Sequence, residues 1–234
     1  MSETSVTNLQ HKYAKRAGLS YVIFTLAGLI NNFLLNSKLS KPDAWQANGF
    51  FENELHFRLG IVFETIMFLA VVTASVSFYL VLKPVHKPLS ITSLCLRLCE
   101  IITGGMAVVI SIAMLAFANR TYFSQLLDPD QLQAVIAVIS GLRTPAYEYS
   151  WIFMGFAGVI TFYLFFKTKY IPRAWSVWGM ITYTSLILYP IAKVLIADLP
   201  REAMFVLFPG ALFELGVGIW LMVKGIDRLK PSSV

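Results

Sequence analysis

Glu64, Glu100 and Glu214 each interrupt a long apolar run, and Arg97 stands three positions before Glu100. A charge near the centre of a bilayer costs at least ~2.5–3.5 kcal/mol even on the most lenient insertion scale, so such groups pair with one another or line a polar cavity. A buried carboxylate can exchange a proton, and a guanidinium can hold an anionic group or balance a neighbouring carboxylate. Three carboxylates face one deep arginine in this sequence. At least one of them must then be protonated, hydrated or paired with something else. The quartet therefore points to a polar cavity for a ligand, an ion or a proton. Set against this is a purely structural role, with the charges pinning helices together.

The elements that carry these residues follow from composition. The chain has 234 residues, 57% hydrophobic and only 14% charged, where a soluble domain has about 25% charged residues. The deficit is concentrated in long uncharged blocks, the pattern of a polytopic membrane protein. About 20 apolar residues cross a bilayer core as a helix. Six segments satisfy this, at about 17–36, 57–82, 89–118, 151–167, 174–197 and 203–224. Breakers mark the joins at Pro84 and Pro88, at Pro172 and at Pro200. The expected fold is all-α: a six-transmembrane-helix bundle in one domain over 17–228, with tails at 1–16 and 229–234.

Basic residues alternate between the two sets of loops. Lys12, Lys15, Arg16, Lys83, Lys87, Lys167, Lys169, Arg173, Lys224, Arg228 and Lys230 fall on one side, where acidic residues are scarce. The positive-inside rule places both termini in the cytoplasm. The net charge of +6 thus flanks apolar spans and suits orientation and anionic headgroups rather than nucleic acid. Residues 1–14 are polar and the first apolar stretch has no convincing cleavage site, so it reads as a retained span.

Counting ~1.5 Å of rise per residue from the cytoplasmic end of each span puts Arg97 about 14 Å deep, Glu214 about 15 Å, Glu100 about 18 Å and Glu64 about 28 Å. Arg97 and Glu214 reach one level on different helices, which predicts an ion-paired cluster joining spans three and six. Glu64 sits further out, with Asn31, Asn32 and Tyr189 as expected neighbours in an outer vestibule. Gly210, Glu214, Gly218 and Gly225 share one face of span six, and Arg97, Glu100, Gly104 and Ser111 one side of span three. Small residues at such spacing let helices approach closely. Pro190 is expected to kink span five, and Lys193 beyond it can snorkel to the outer interface. In the long outer loop, Asp128 as N-cap, Pro129 at the first helical position and Gly141 at the end predict a short helix over about 129–141. Its stripe of Leu132, Val135, Ile136, Ile139 and Leu142 suits packing across the bundle, or a gating lid.

Several chemistries find no support. Cys95 and Cys99 are four apart on one predicted helix, unsuited to a disulfide and without the partners of a metal site, so they read as small apolar packing residues. His11, His56 and His86 all lie at or beyond the membrane edges, which argues against a haem held by two buried histidines. No phosphate loop, zinc motif or paired intramembrane aspartates occur. No cofactor, metal or catalytic residue is expected.

Certain runs carry a resemblance. They are Phe57-Arg58-Leu59-Gly60, Lys83-Pro84-Val85, Leu96-Arg97-Leu98-Cys99-Glu100 and the stretch from Ile171 to Gly179. The longest is Pro209-Gly210-Ala211-Leu212-Phe213-Glu214-Leu215 followed by Trp220-Leu221-Met222-Val223-Lys224-Gly225. In this order they resemble a bacterial six-span membrane family, domain of unknown function 4386, over about residues 15–228. The resemblance implies six spans, a bacterial or archaeal cytoplasmic membrane, and Arg97, Glu100 and Glu214 as motif positions. It brings no activity. The leading expectation is a small transporter, channel or ligand-binding protein with its site at Arg97, Glu100 and Glu214. An accessory protein whose helices bind a partner and a lipid-modifying enzyme with a carboxylate base stand as alternatives; expected partners are the lipid bilayer, a small-molecule, ion or lipid ligand, and further copies of the chain.

Overall fold

A computed structural model describes residues 7–32, 47–119 and 127–227. It is all-helical over these residues. The helices are α1 (Asn8–Leu29), α2 (Ala47–Leu82), α3 (Lys87–Asn119), α4 (Pro129–Thr168), α5 (Arg173–Leu195) and α6 (Phe208–Lys224), the last led in by a 3-10 turn at Arg201–Leu207. Five stretches are long and apolar enough to cross a membrane: Glu54–Leu82, Lys87–Phe117, Asp130–Thr168, Arg173–Leu195 and Glu202–Lys224. This is the make-up of a multi-pass membrane protein.

Each helix packs against its neighbours in the chain, and α6 returns to α1, so the six close into a ring. Hydrogen bonds gather four chain segments at one end. Gln10 Nε2 donates to the Val81 carbonyl at 2.9 Å, and His11 Nδ1 lies 3.2 Å from the Ile226 carbonyl oxygen. The Asp227 amide donates to the Tyr170 carbonyl at 2.8 Å. The start of α1, the α2–α3 turn, the α4–α5 turn and the end of α6 thus share one end of the bundle. Burial there pushes the Tyr170 hydroxyl above its ordinary pKa, opposed by a hydrogen bond with Gln10.

The helices are polar inside and apolar outside. On α3, Ser93, Arg97, Glu100 and Ser111 are buried, whereas Ile91, Leu98, Ile102, Met106, Val109 and Ile112 face outward. In water this arrangement would expose a large apolar surface; in lipid it hides the charges. Between the helices lies an aromatic core. Phe162 stacks on Tyr183 with ring centres 5.6 Å apart and meets Phe213 edge-on at 5.0 Å. A second, smaller cluster of Phe57, Met114 and Ile136, flanked by Leu132 and Ile139, joins the first half of α4 to α2 and α3.

Element boundaries depart from expectation in four places. α1 begins at Asn8 rather than 17, because Thr7 and Gln10 form a reciprocal capping box. α2 begins at Ala47, which shortens the outer loop expected over 37–56. The helix expected over 129–141 starts as anticipated, capped by Asp128, but Gly141 does not end it. It runs through Gly141 and Pro145 into the segment expected at 151–167, ending at Lys169 in the left-handed region (φ 55°). Within α4, Leu132, Ile136 and Ile139 bury their stripe while Leu142 faces out. α5 runs through Pro190 to Leu195, in keeping with the span at 174–197, whereas the last α-helix begins at Phe208 rather than 203, behind the 3-10 turn. The expected end of the first span at 33–36, the outer-loop residues 37–46 and 120–126, and the tail at 229–234 lie outside the described residues, as do residues 1–6.

Gly18 fixes the α1–α6 contact: a Cβ there would collide with the α6 backbone at Gly218, Leu221 and Met222. Gly105 has nothing within 4 Å of such a carbon. Gly18→Ala is therefore expected to lower thermal stability, by about 1–3 kcal/mol on the scale of overpacked cores. Gly105→Ala should leave it unchanged or raise it. Thermal unfolding of both variants in detergent measures the difference.

Candidate functional site

Arg97, Glu100 and Glu214 are 6%, 4% and 8% exposed. A guanidinium buried so deeply needs acceptors for its donors. Arg97 Nη1 donates to Glu100 Oε2 at 2.8 Å, one turn along α3. Its Nη2 donates to the hydroxyls of Tyr21 at 3.2 Å and Tyr183 at 3.3 Å. Those hydroxyls lie 2.8 Å apart, and the Tyr183 hydroxyl donates to Glu214 Oε1 at 3.1 Å. An unbroken hydrogen-bonded chain thus runs Glu100–Arg97–Tyr183–Glu214, with Tyr21 at its side. It draws one group each from α1, α5 and α6 and two from α3.

Small residues set its reach. A Cβ on Gly158 of α4 would overlap the Tyr183 ring, so only glycine admits that ring to the axis. The ring lies under the guanidinium, with Cζ of Arg97 5.5 Å from its centre, and adds a cation–π attraction. The close α1–α6 approach at Gly18 and Gly218 brings Tyr21 in from the other side.

Beside Arg97, between α2, α3 and α4, is a cavity of about 10 Å³ walled in part by Ser75, Ser90, Ser93, Thr161 and Tyr79. That is room for one water. Ser75, Ser90 and Thr161 each donate to the carbonyl four residues back in the chain, at 2.6, 3.0 and 2.9 Å. Their oxygens keep acceptor capacity, though Thr161 Oγ1 also lies 2.9 Å from Ser93 Oγ, and this suits a water that also accepts from an arginine. This conformation holds no space there for an organic molecule.

A second cluster lies further along the bundle. Glu64 on α2 forms an ion pair with Arg143 on α4, and Asn31 Nδ2 donates to Glu64 Oε1 at 3.0 Å. Arg143 Nε donates to Ser111 on α3 at 2.8 Å. Tyr147, one turn beyond Arg143, donates its hydroxyl to Met67 Sδ on α2 at 3.6 Å.

The expected neighbours are partly met. Arg97 and Glu214 do belong to one cluster joining α3 and α6, but Arg97 ion-pairs with Glu100 and reaches Glu214 only through Tyr183. Asn31 meets Glu64 as expected. Asn32 is exposed, and Tyr189 packs on Trp151 with ring centres 6.1 Å apart. Lys193 is half-exposed and ion-pairs with Glu148 at 2.7 Å. Cys95 and Cys99 face outward instead of packing inside, because the inward side of that turn belongs to Ser93, Arg97 and Glu100. Tyr21, Tyr183 and Arg143 were missed. Arg143 lies between Gly141 and Pro145, which read as loop residues, and a tyrosine within an apolar span carries no signal that separates it from core. Among the described residues no group of three or more His, Cys, Asp or Glu is placed to hold a metal.

A family profile described as domain of unknown function (DUF4386) matches residues 16–225. The chain belongs to this family. No curated protein and no solved structure matches it. Within this DUF4386 domain the charged chain around Arg97 is the most extensive buried polar network among the described residues, and it ties four of the six helices together.

Tyr183→Phe removes the hydroxyl that joins Arg97 to Glu214 and leaves a buried carboxylate oxygen without its donor. A loss of about 1–3 kcal/mol is expected. Tyr21→Phe, whose hydroxyl does not touch Glu214, should cost less. Parallel thermal melts of the two variants in the same detergent provide the comparison.

Proposed function

We propose that this chain is a six-span protein of a bacterial or archaeal cytoplasmic membrane, with both termini inside, acting as a small proton-linked transporter, channel or ligand-binding protein. α1 supplies the sixth crossing. It packs against α2 and α6, and its start shares one end of the bundle with the end of α6. That common end is also rich in lysine and arginine, which favours the cytoplasmic side.

The observation that carries the reading is the chain Glu100–Arg97–Tyr183–Glu214. One guanidinium faces two carboxylates, so the cluster holds one acid more than it can balance. A proton or a bound cation makes up the difference, and hydroxyls can relay a proton between the groups. The adjacent water-sized cavity supports exchange of a proton or small ion over a large organic substrate. The partner-binding alternative loses its main support, since the small-residue faces of α3 and α6 turn inward. Gly104 sits against Phe68 and Ser150, and Gly218 against Tyr21 and Val22.

The test is proton movement in reconstituted vesicles carrying a trapped pH-sensitive dye. Wild type is expected to collapse an imposed pH gradient faster than empty vesicles. Glu214→Gln and Arg97→Ala should lose that activity while still inserting and running as folded protein. Wild-type vesicles that behave as empty ones contradict the proton-linked reading. Variants that fail to insert or fold make the cluster a structural pin.

A further inference from the structure

The outer cluster is built around acceptors that outnumber their donors. Two donors, Asn31 Nδ2 and Arg143 Nη2, converge on the same oxygen, Glu64 Oε1. Glu64 Oε2 and Asn31 Oδ1 are both buried and have no hydrogen-bond partner among the described residues. Glu64 and Asn31 are each 4% exposed. Buried acceptors left open cost free energy unless a donor or a cation meets them.

Among the described residues the cation paired with Glu64 is Arg143, whose side chain is 24% exposed against 5% for Glu64. It sits at a weak point of α4. Pro145 lacks the N–H that would bond the Gly141 carbonyl, so one rung of the helix is missing beside Arg143. Gly141 has open space around it. The part of α4 before this point rests on its own small apolar cluster with Phe57 and Met114, separate from the main core.

We propose that Glu64 and Asn31 form a binding site for a compact monovalent cation, an alkali ion or ammonium, and that Arg143 is a tethered occupant which such a cation displaces. The Glu64 carboxylate, whose Oε1 Arg143 now holds, and Asn31 Oδ1 supply the ligating oxygens. Ligand charge follows from balance: one carboxylate neutralised by one guanidinium is neutralised equally by one monovalent ion. Displacement swings Arg143 outward as α4 bends between Gly141 and Pro145. The site stands apart from the Arg97 cluster and does not depend on proton exchange there.

The full-length protein in detergent is titrated with NaCl, KCl or NH4Cl against choline chloride at constant ionic strength, and the unfolding midpoint is followed, since a ligand of the folded state raises it. Arg143→Ala removes the competitor, so its midpoint should respond to at least one of the three cations at about tenfold lower concentration than wild type. Glu64→Gln should abolish the response in either background. Pro145→Ala restores the missing helical bond and should weaken the wild-type response. An Arg143→Ala protein that responds no better to any of the three than to choline overturns the proposal. So does one that is unfolded alike in every salt, which makes Arg143 a structural brace, and so does a Glu64→Gln protein that keeps the response. No vesicle flux enters this measurement, so its failure is separate from failure of the proton-linked reading.

Discussion

A guanidinium held away from water dictates the arrangement of this bundle. Arg97 carries five N–H donors in a rigid fork and no means of shedding its charge. Removing it from solvent is tolerable only if acceptors surround it. Those acceptors come from different helices: Glu100 on its own α3, Tyr21 on α1 and Tyr183 on α5, with Glu214 of α6 held through Tyr183. Shifting any one of these helices by an ångström or two breaks a buried hydrogen bond of the cluster.

The packing serves that requirement. Glycine at 158 lets the Tyr183 ring pass close to α4, and glycines at 18 and 218 draw α1 onto α6 so that Tyr21 reaches the same point. The aromatic core of Phe162, Phe165 and Phe213 then walls the tyrosines. Outward faces need no such specificity. Val109, Val194 and Leu195 lie exposed there, a cost in water and none among acyl chains. The first half of α4 is held differently, by a small apolar cluster and by Arg143.

Much of this was legible because burial of charge in an apolar run is so costly that it announces itself. Arg97, Glu100 and Glu214 stood out against their surroundings, and counting helical rise brought Arg97 and Glu214 to one level. The pairing of Asn31 with Glu64 followed from the same count. What escaped was information that lies between helices. Whether Tyr183 or any other tyrosine turns to the centre depends on crossing geometry set by Gly158 on another helix. Gly141 and Pro145 are strong breakers in water, yet a long apolar helix packed on α3 and α5 absorbs both, so Arg143 passed for a loop residue. Thr7 and Gln10 together start α1 earlier than its apolar stretch alone suggests.

The most direct test of a single shared cluster is a double-mutant cycle between Arg97 and Glu214, which do not touch. Unfolding free energies are compared for wild type, Arg97→Met, Glu214→Met and the double variant. If Tyr183 joins the two groups into one charge-balanced unit, the paired loss differs from the sum of the single losses by more than about 1 kcal/mol. Additivity within about 0.5 kcal/mol would mean independent charges and contradict the cluster.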